Sequence, residues 1–196
     1  MGTQDEATPA AVVLADARAA SASGDPVPDV QSRDRGPDPH DVARRIVLRQ
    51  LAMAPRSRAE LLEKLAQCGC AVDVAATVLD RMTEVGLVDD EAYAQMFVRS
   101  QQAGRGLAKR ALARELRTKG IEDHLAEDAL AAISDEDERD RARALVDKKL
   151  RAMHGLGIEV QTRRLAGMLA RRGYSPSVTY AVVRGAIADA PEHLPD

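Results

Sequence analysis

Seven positions recur three times along this chain of 196 residues, and that internal periodicity narrows the possible folds more than any other property of the sequence. Leu61, Leu65, Gly69, Val74, Val78, Leu79 and Met82 return 51 residues later as Leu112, Leu116, Gly120, Leu125, Ala129, Leu130 and Ile133. A further step of 53 residues reaches Leu165, Leu169, Gly173, Val178, Val182, Val183 and Ala186. Apolar residues at spacings of three and four lie on one side of an α-helix. A glycine between two such sets supplies the left-handed residue that ends one helix and lets the chain turn into the next. Each copy therefore reads as helix, glycine stop, helix.

A further helix precedes each pair. Val42, Ile46 and Leu51 form an apolar stripe that runs up to Pro55, and Tyr93 and Phe97 stand four apart in the second copy. Ile46 aligns with Phe97 and then with a position near Leu145, inside a long, highly charged helix that starts around Asp135. The expected fold is all-α: three tandem three-helix repeats at residues 41–88, 89–134 and 135–188. One such unit buries little surface alone, so the repeats are expected to stack into an elongated, curved array of nine helices. Composition agrees. Aromatic residues make up 2% and Trp is absent, so the core volume comes from Ala, Leu and Val, which suits close helix packing better than strands.

Helix ends carry their own signals. Ser57 with Glu60 forms a capping box, Asp73 is placed to cap a third helix that Gly86 stops, and Asp89 and Asp90 stand at the start of a fourth. Ser175 followed by Pro176 opens the last one. By contrast, residues 1–40 are rich in Ala, Ser, Asp and Pro, with prolines at 26, 28, 37 and 39, and are expected to be a disordered tail. Val12 to Leu14 offers it a transient helical turn. Residues 189–196 form a short acidic tail.

The net charge of −3 hides a segregation: residues 42–187 hold 25 basic and 20 acidic side chains, and the acidic excess sits at the two ends. A basic body suits nucleic acid or an acidic protein groove, and acidic ends temper nonspecific association. No catalytic constellation emerges. His40, His124, His154 and His193 are scattered without metal-ligand or triad spacing. The Gly104, Arg105, Gly106 and Gly155, Leu156, Gly157 triplets follow no strand pattern and lack the Lys and Ser/Thr of a phosphate loop, so they read as linkers. Cys68 and Cys70 read as buried small apolar residues of a protein kept in a reducing cytoplasm. The sequence has neither a basic start followed by an apolar core nor a membrane-length apolar run. No metal, cofactor or membrane contact is expected.

Partner binding is a different matter, because the repeats serve as controls for one another. Arg110, Arg114 and Arg117 lie opposite Leu112 and Leu116 on the helical wheel. Their equivalents are Ala59, Glu63 and Ala66 in the first copy and Arg163, Gly167 and Ala170 in the third. The apolar face is kept and the outer face is not, which argues for a role other than folding. Arg99, Arg105, Lys109 and Lys119 extend the cluster, with Glu115 the one acid between residues 99 and 119. A solvated helix face explains the same charges without any partner. Tyr93, Phe97, Tyr174 and Tyr180 read as core or partly buried residues and not as a platform for bases.

These residues resemble the RecX family of regulatory proteins, bacterial modulators of the RecA recombinase. The resemblance rests on Asp89, Asp90, Tyr93 and Phe97, then on the basic helix whose Glu115 and Leu116 lead to Lys119, Gly120 and Ile121, all within three-helix repeats over residues 43–187. It implies a non-enzymatic, cytoplasmic protein, a monomer, that binds along the helical groove of the RecA filament. It further implies inhibition of ATP hydrolysis, strand exchange and coprotease activity, with single- or double-stranded DNA as a weaker contact. The partner-binding residues carried over are Arg105, Lys109, Arg110, Arg114, Arg117 and Lys119, with Arg163, Arg164, Arg171 and Arg172 after them. Two other readings stay open: a winged-helix DNA-binding regulator over residues 57–88, in which Leu87 and Val88 begin a β-wing, and a helical scaffold for an unrelated partner.

Overall fold

The computed structural model describes residues 36–190. The expectations for the tail before residue 36 and for the acidic end after residue 190 lie outside the described residues. Among the described residues there are nine α-helices and no strand. The first repeat holds α1 (Pro39–Met53), α2 (Arg58–Gln67) and α3 (Val72–Glu84). The second holds α4 (Asp90–Arg105), α5 (Lys109–Thr118) and α6 (Asp123–Ala131). The third holds α7 (Asp135–Leu150), α8 (Ile158–Arg171) and α9 (Pro176–Ala188), with a 3-10 turn, Arg151–Met153, after α7.

Each repeat has its own core, and the paired leucines are its centre. Leu61, Leu65, Leu112, Leu116, Leu165 and Leu169 are all fully buried. The first helices meet them with a motif that the wheel reading placed one residue off. The innermost pairs are Ala43 and Val47, Ala94 and Val98, and Ala142 and Val146, so an alanine and a valine four apart repeat in all three. Ile46 and Leu145 pack at the edges of these cores, while Phe97 is buried and stacks on Tyr93 with ring centroids 6.0 Å apart. A small residue at the closest crossing lets two helix axes approach, which is how a chain poor in aromatic side chains fills its interior.

Several helix ends differ from the sequence expectations. Asp38 accepts the His40 N–H and Pro39 stands at N1, so α1 begins inside the stretch assigned to the tail. Ala71, not Asp73, is the N-cap of α3, and Asp73 sits in its first turn, where its charge still meets the helix dipole. Gly104 and Arg105 belong to α4, and Gly106 alone is the left-handed cap. A second capping box, Ser134 with Asp137, opens α7. Cys68 is exposed at the C-cap of α2, contrary to the burial expected of it, because a C-cap projects beyond the packed stripe, whereas Cys70 packs on the first core. Tyr174 is buried but Tyr180 is 67% exposed. The winged-helix reading fails at its wing. Leu87 and Val88 donate their N–H groups back to Met82 O at 2.9 and 3.2 Å, closing the end of α3, and α4 follows at once.

Neighbouring repeats interlock through the N-terminus of each middle helix. The first amides of a helix have no partner within it. The N–H of Arg58, first residue of α2, donates to Asp90 Oδ1 at 2.8 Å; 51 residues later the N–H of Lys109, first residue of α5, donates to Glu138 Oε1 at 3.2 Å. Ser57 Oγ donates to the Lys119 carbonyl at 2.6 Å, and at the equivalent place the Ala108 N–H donates to the Arg172 carbonyl at 3.0 Å. Each repeat therefore caps a helix of the one before it. These contacts set the relative position of α5, α7 and α8, on which the charged surface depends.

Candidate partner-binding surface

Position decides what each cation is available for. Lys119 is committed to the junction: its Nζ pairs with Glu60, whose other oxygen accepts from Tyr93 Oη at 3.3 Å. Burial raises the Glu60 pKa, but the hydrogen bonds from Lys119 and Ser57 outweigh it, and the carboxyl lies below its ordinary value. Burial and the Glu60 charge push the Tyr93 hydroxyl up to about 12, so it stays a proton donor. Lys109 Nζ pairs with Asp135 at 3.2 Å, Arg105 with Glu115 at 2.9 Å, and Arg117 with Asp123 at 3.2 Å. Arg110 and Arg114 are exposed on the outer face of α5 and form no ion pair with another described residue.

The structure gathers the other candidates into a groove. Arg163, Arg164, Arg171 and Arg172 line a cleft of about 640 Å³ together with Lys149, which the sequence reading had missed. At Lys149, Met168 and Arg172 this cleft meets a second one of about 600 Å³, which also takes in Arg105, Arg141 and Lys148 and spans the junction of the second and third repeats. Among the described residues, eight basic side chains and no carboxylate line the two. Arg172 Nε donates to the Arg105 carbonyl at 3.0 Å and Tyr174 Oη to the Gly106 carbonyl at 3.2 Å, so the end of α4 is held against the third repeat.

Arg141 is the sharpest feature of this groove. Its Nη1 is buried and has no hydrogen-bond partner among the described residues. A buried guanidinium N–H without an acceptor is uncommon and costly. Arg141, Leu145, Lys148 and Lys149 lie at helical spacing along one stripe of α7, and that spacing was the available signal. It went unread because α7 carries charges all round and its apolar register dominated the alignment. Among the described residues no group of His, Cys, Asp and Glu is arranged to hold a metal ion, and no helix is long and apolar enough to cross a membrane.

Three helical modules in tandem with a continuous cationic groove define a class of protein, a tandem helical-repeat protein with a basic groove on its surface. Comparison with known proteins narrows the class. The first, second and third three-helix domains of RecX match residues 43–82, 89–130 and 135–183. The chain is 49% identical over 162 residues to the regulatory protein RecX of Streptomyces coelicolor, covering 81% of this chain and 86% of that one. It is 45% identical over 171 residues to the regulatory protein RecX of Mycolicibacterium smegmatis, covering 84% and 91%. The crystal structure of RecX from Lactobacillus salivarius has the same fold, with a TM-score of 0.68 at 21% identity, covering 76% of this chain and 97% of that one. The chain belongs to the RecX family of regulatory proteins.

Proposed function

We propose that this protein is a non-enzymatic, cytoplasmic regulator that binds the RecA–DNA filament as a monomer and restrains it, lowering ATP hydrolysis, strand exchange and coprotease activity and so modulating recombination and the SOS response. The observation that carries the reading is the groove across the second and third repeats, with eight cations and, among the described residues, no carboxylate. A filament presents the same protomer surface again and again, and a row of repeats joined by fixed junctions can span neighbouring protomers. Such a clamp opposes the protomer motions that accompany ATP turnover. Arg110 and Arg114 on α5 supply a second contact. Membership of a family named for regulation supports the same reading.

The test is a titration into RecA assembled on single-stranded DNA while ATP hydrolysis is followed. The wild-type chain slows hydrolysis, and the effect fades as salt screens the exposed charges. Joint reversal of Arg163, Arg164 and Arg171 to Glu removes most of the effect. Joint reversal of Arg110 and Arg114 weakens it. Hydrolysis unchanged by a saturating amount of wild-type protein overturns the reading.

A further inference from the structure

On the adjacent face of α8, sharing Gly167 with the cationic groove, lies a depression of a different kind. It runs between α8 and α9, encloses about 760 Å³ and is lined chiefly by Ala166, Ala170, Tyr174, Pro176, Tyr180 and Val183. Ile158 and Tyr180 at its rim are 51% and 67% exposed. A concavity of this size and composition is typical of a binding site.

At position 162 the other two repeats carry a charge that this one lacks. Thr162 stands at the position of Arg58 and Lys109, which pair with Asp80 and Asp135. Ala170 and Pro176 stand where the second repeat has the Arg117–Asp123 pair at 3.2 Å and the first has Ala66 and Val72. At these positions the second repeat has two ion pairs, the first has one, and the third has none among the described residues, although the apolar core beneath is kept. Folding alone does not account for the difference, because the same module folds with ion pairs in place.

Two further observations say what fits. Thr179 lines the groove, is 9% exposed, and its Oγ1 is buried without a hydrogen-bond partner among the described residues. The charge on the walls is positive. Arg184 lines the α9 side without an ion pair to a described residue, and beside the groove Arg171, which lines the neighbouring cationic cleft, places its Nη1 3.3 Å from where a Cβ on the shared Gly167 would stand. Among the described residues no carboxylate lines the groove.

From these we propose that the α8–α9 groove is a docking site for an amphipathic helix of a partner protein, with aliphatic side chains in the groove and carboxylates alongside, facing Arg171 and Arg184. The pattern is that of helix-in-groove recognition, in which apolar anchors give affinity and flanking charges give orientation. The inference rests on the filament reading only for which protein supplies the helix.

The probe is a fluorescein-labelled helical peptide with leucines at i, i+3, i+4 and i+7 and glutamates on both flanks, followed by fluorescence anisotropy with the full chain. Saturable binding is expected, weaker by at least about tenfold for the same peptide with lysines in place of glutamates. Ala170→Glu and Tyr180→Glu, both at exposed positions, are expected to lose the peptide while keeping the wild-type melting temperature. No saturable binding, equal binding of both peptides, or binding unaffected by either substitution overturns the proposal. Self-association of the wild type abolished by Tyr180→Glu assigns the groove to a second copy instead, and binding of a single-stranded oligonucleotide abolished by Ala170→Glu assigns it to nucleic acid. Inhibition of RecA by the wild type without peptide binding removes the groove and leaves the filament reading standing. Peptide binding without any effect on RecA does the reverse.

Discussion

Gly173 lies so close to Ala111 that a Cβ on residue 173 would stand 2.7 Å from both the Cβ and the backbone nitrogen of the alanine. Gly120 meets Ala59 in the same way at the first junction. The recurring glycine thus has two tasks: its positive φ, 87° at Gly173 and 72° at Gly120, ends the helix, and its bare Cα lets the next repeat close onto the one before. Gly69, which has the same φ region, faces open space.

That contrast predicts a graded response to alanine. Gly69→Ala carries only the left-handed strain, about 1 kcal/mol. Gly120→Ala and Gly173→Ala add a clash that cannot relax without parting the repeats, for a total of roughly 3 kcal/mol. Urea denaturation of the three variants checks the order.

Faces of α5 separate folding from binding. Leu116→Asp places an unpaired charge at a fully buried position and is expected to cost about 4 kcal/mol or more, enough to unfold the chain at physiological temperature. Arg114→Glu, at an exposed position, changes stability by no more than about 0.5 kcal/mol. Thermal melts by circular dichroism compare the two.

At Glu60 the junction is expected to respond to acid. A carboxyl held below its ordinary pKa in the folded chain contributes stability above the unfolded value and loses it as pH falls through the folded one. Asp90, whose pKa is raised by burial, acts in the opposite sense, so the useful quantity is a difference. Glu60→Gln keeps a capping side chain but removes the charge. The melting temperature of the wild type should exceed that of the variant at neutral pH, and the gap should close as pH falls below the ordinary glutamate range.

Arg141 gives stability and binding opposite signs. Its buried Nη1 has no acceptor among the described residues, so Arg141→Gln, which shortens the side chain and removes the charge, is expected to leave the melting temperature unchanged or to raise stability by up to about 1 kcal/mol. The same change should weaken inhibition of RecA ATP hydrolysis by several-fold. Loss of both together would make Arg141 a structural residue. Paired melts and ATPase titrations check it.

The sequence by itself determined the module. Period, glycine stops and the leucine pairs at 61 and 65, 112 and 116, and 165 and 169 are local properties of a helix, and local periodicity records which side of each helix is apolar. The outward direction of Arg110, Arg114 and Arg117 was legible for the same reason. What periodicity cannot record is which outward side chains of different helices come together, because that depends on how far each repeat is turned against the last. The junctions decide it, through Asp90 and Glu138 on the amides of Arg58 and Lys109 and through the close approach at Gly120 and Gly173. They spend Lys109 and Lys119 on holding the repeats together, and they bring Arg141, Lys148 and Lys149 of α7 beside Arg105 and the arginines of α8. A helical face is a short-range fact of the chain. A groove between helices forms only when long-range contacts fix their spacing, so only the tertiary structure decided which cations share one.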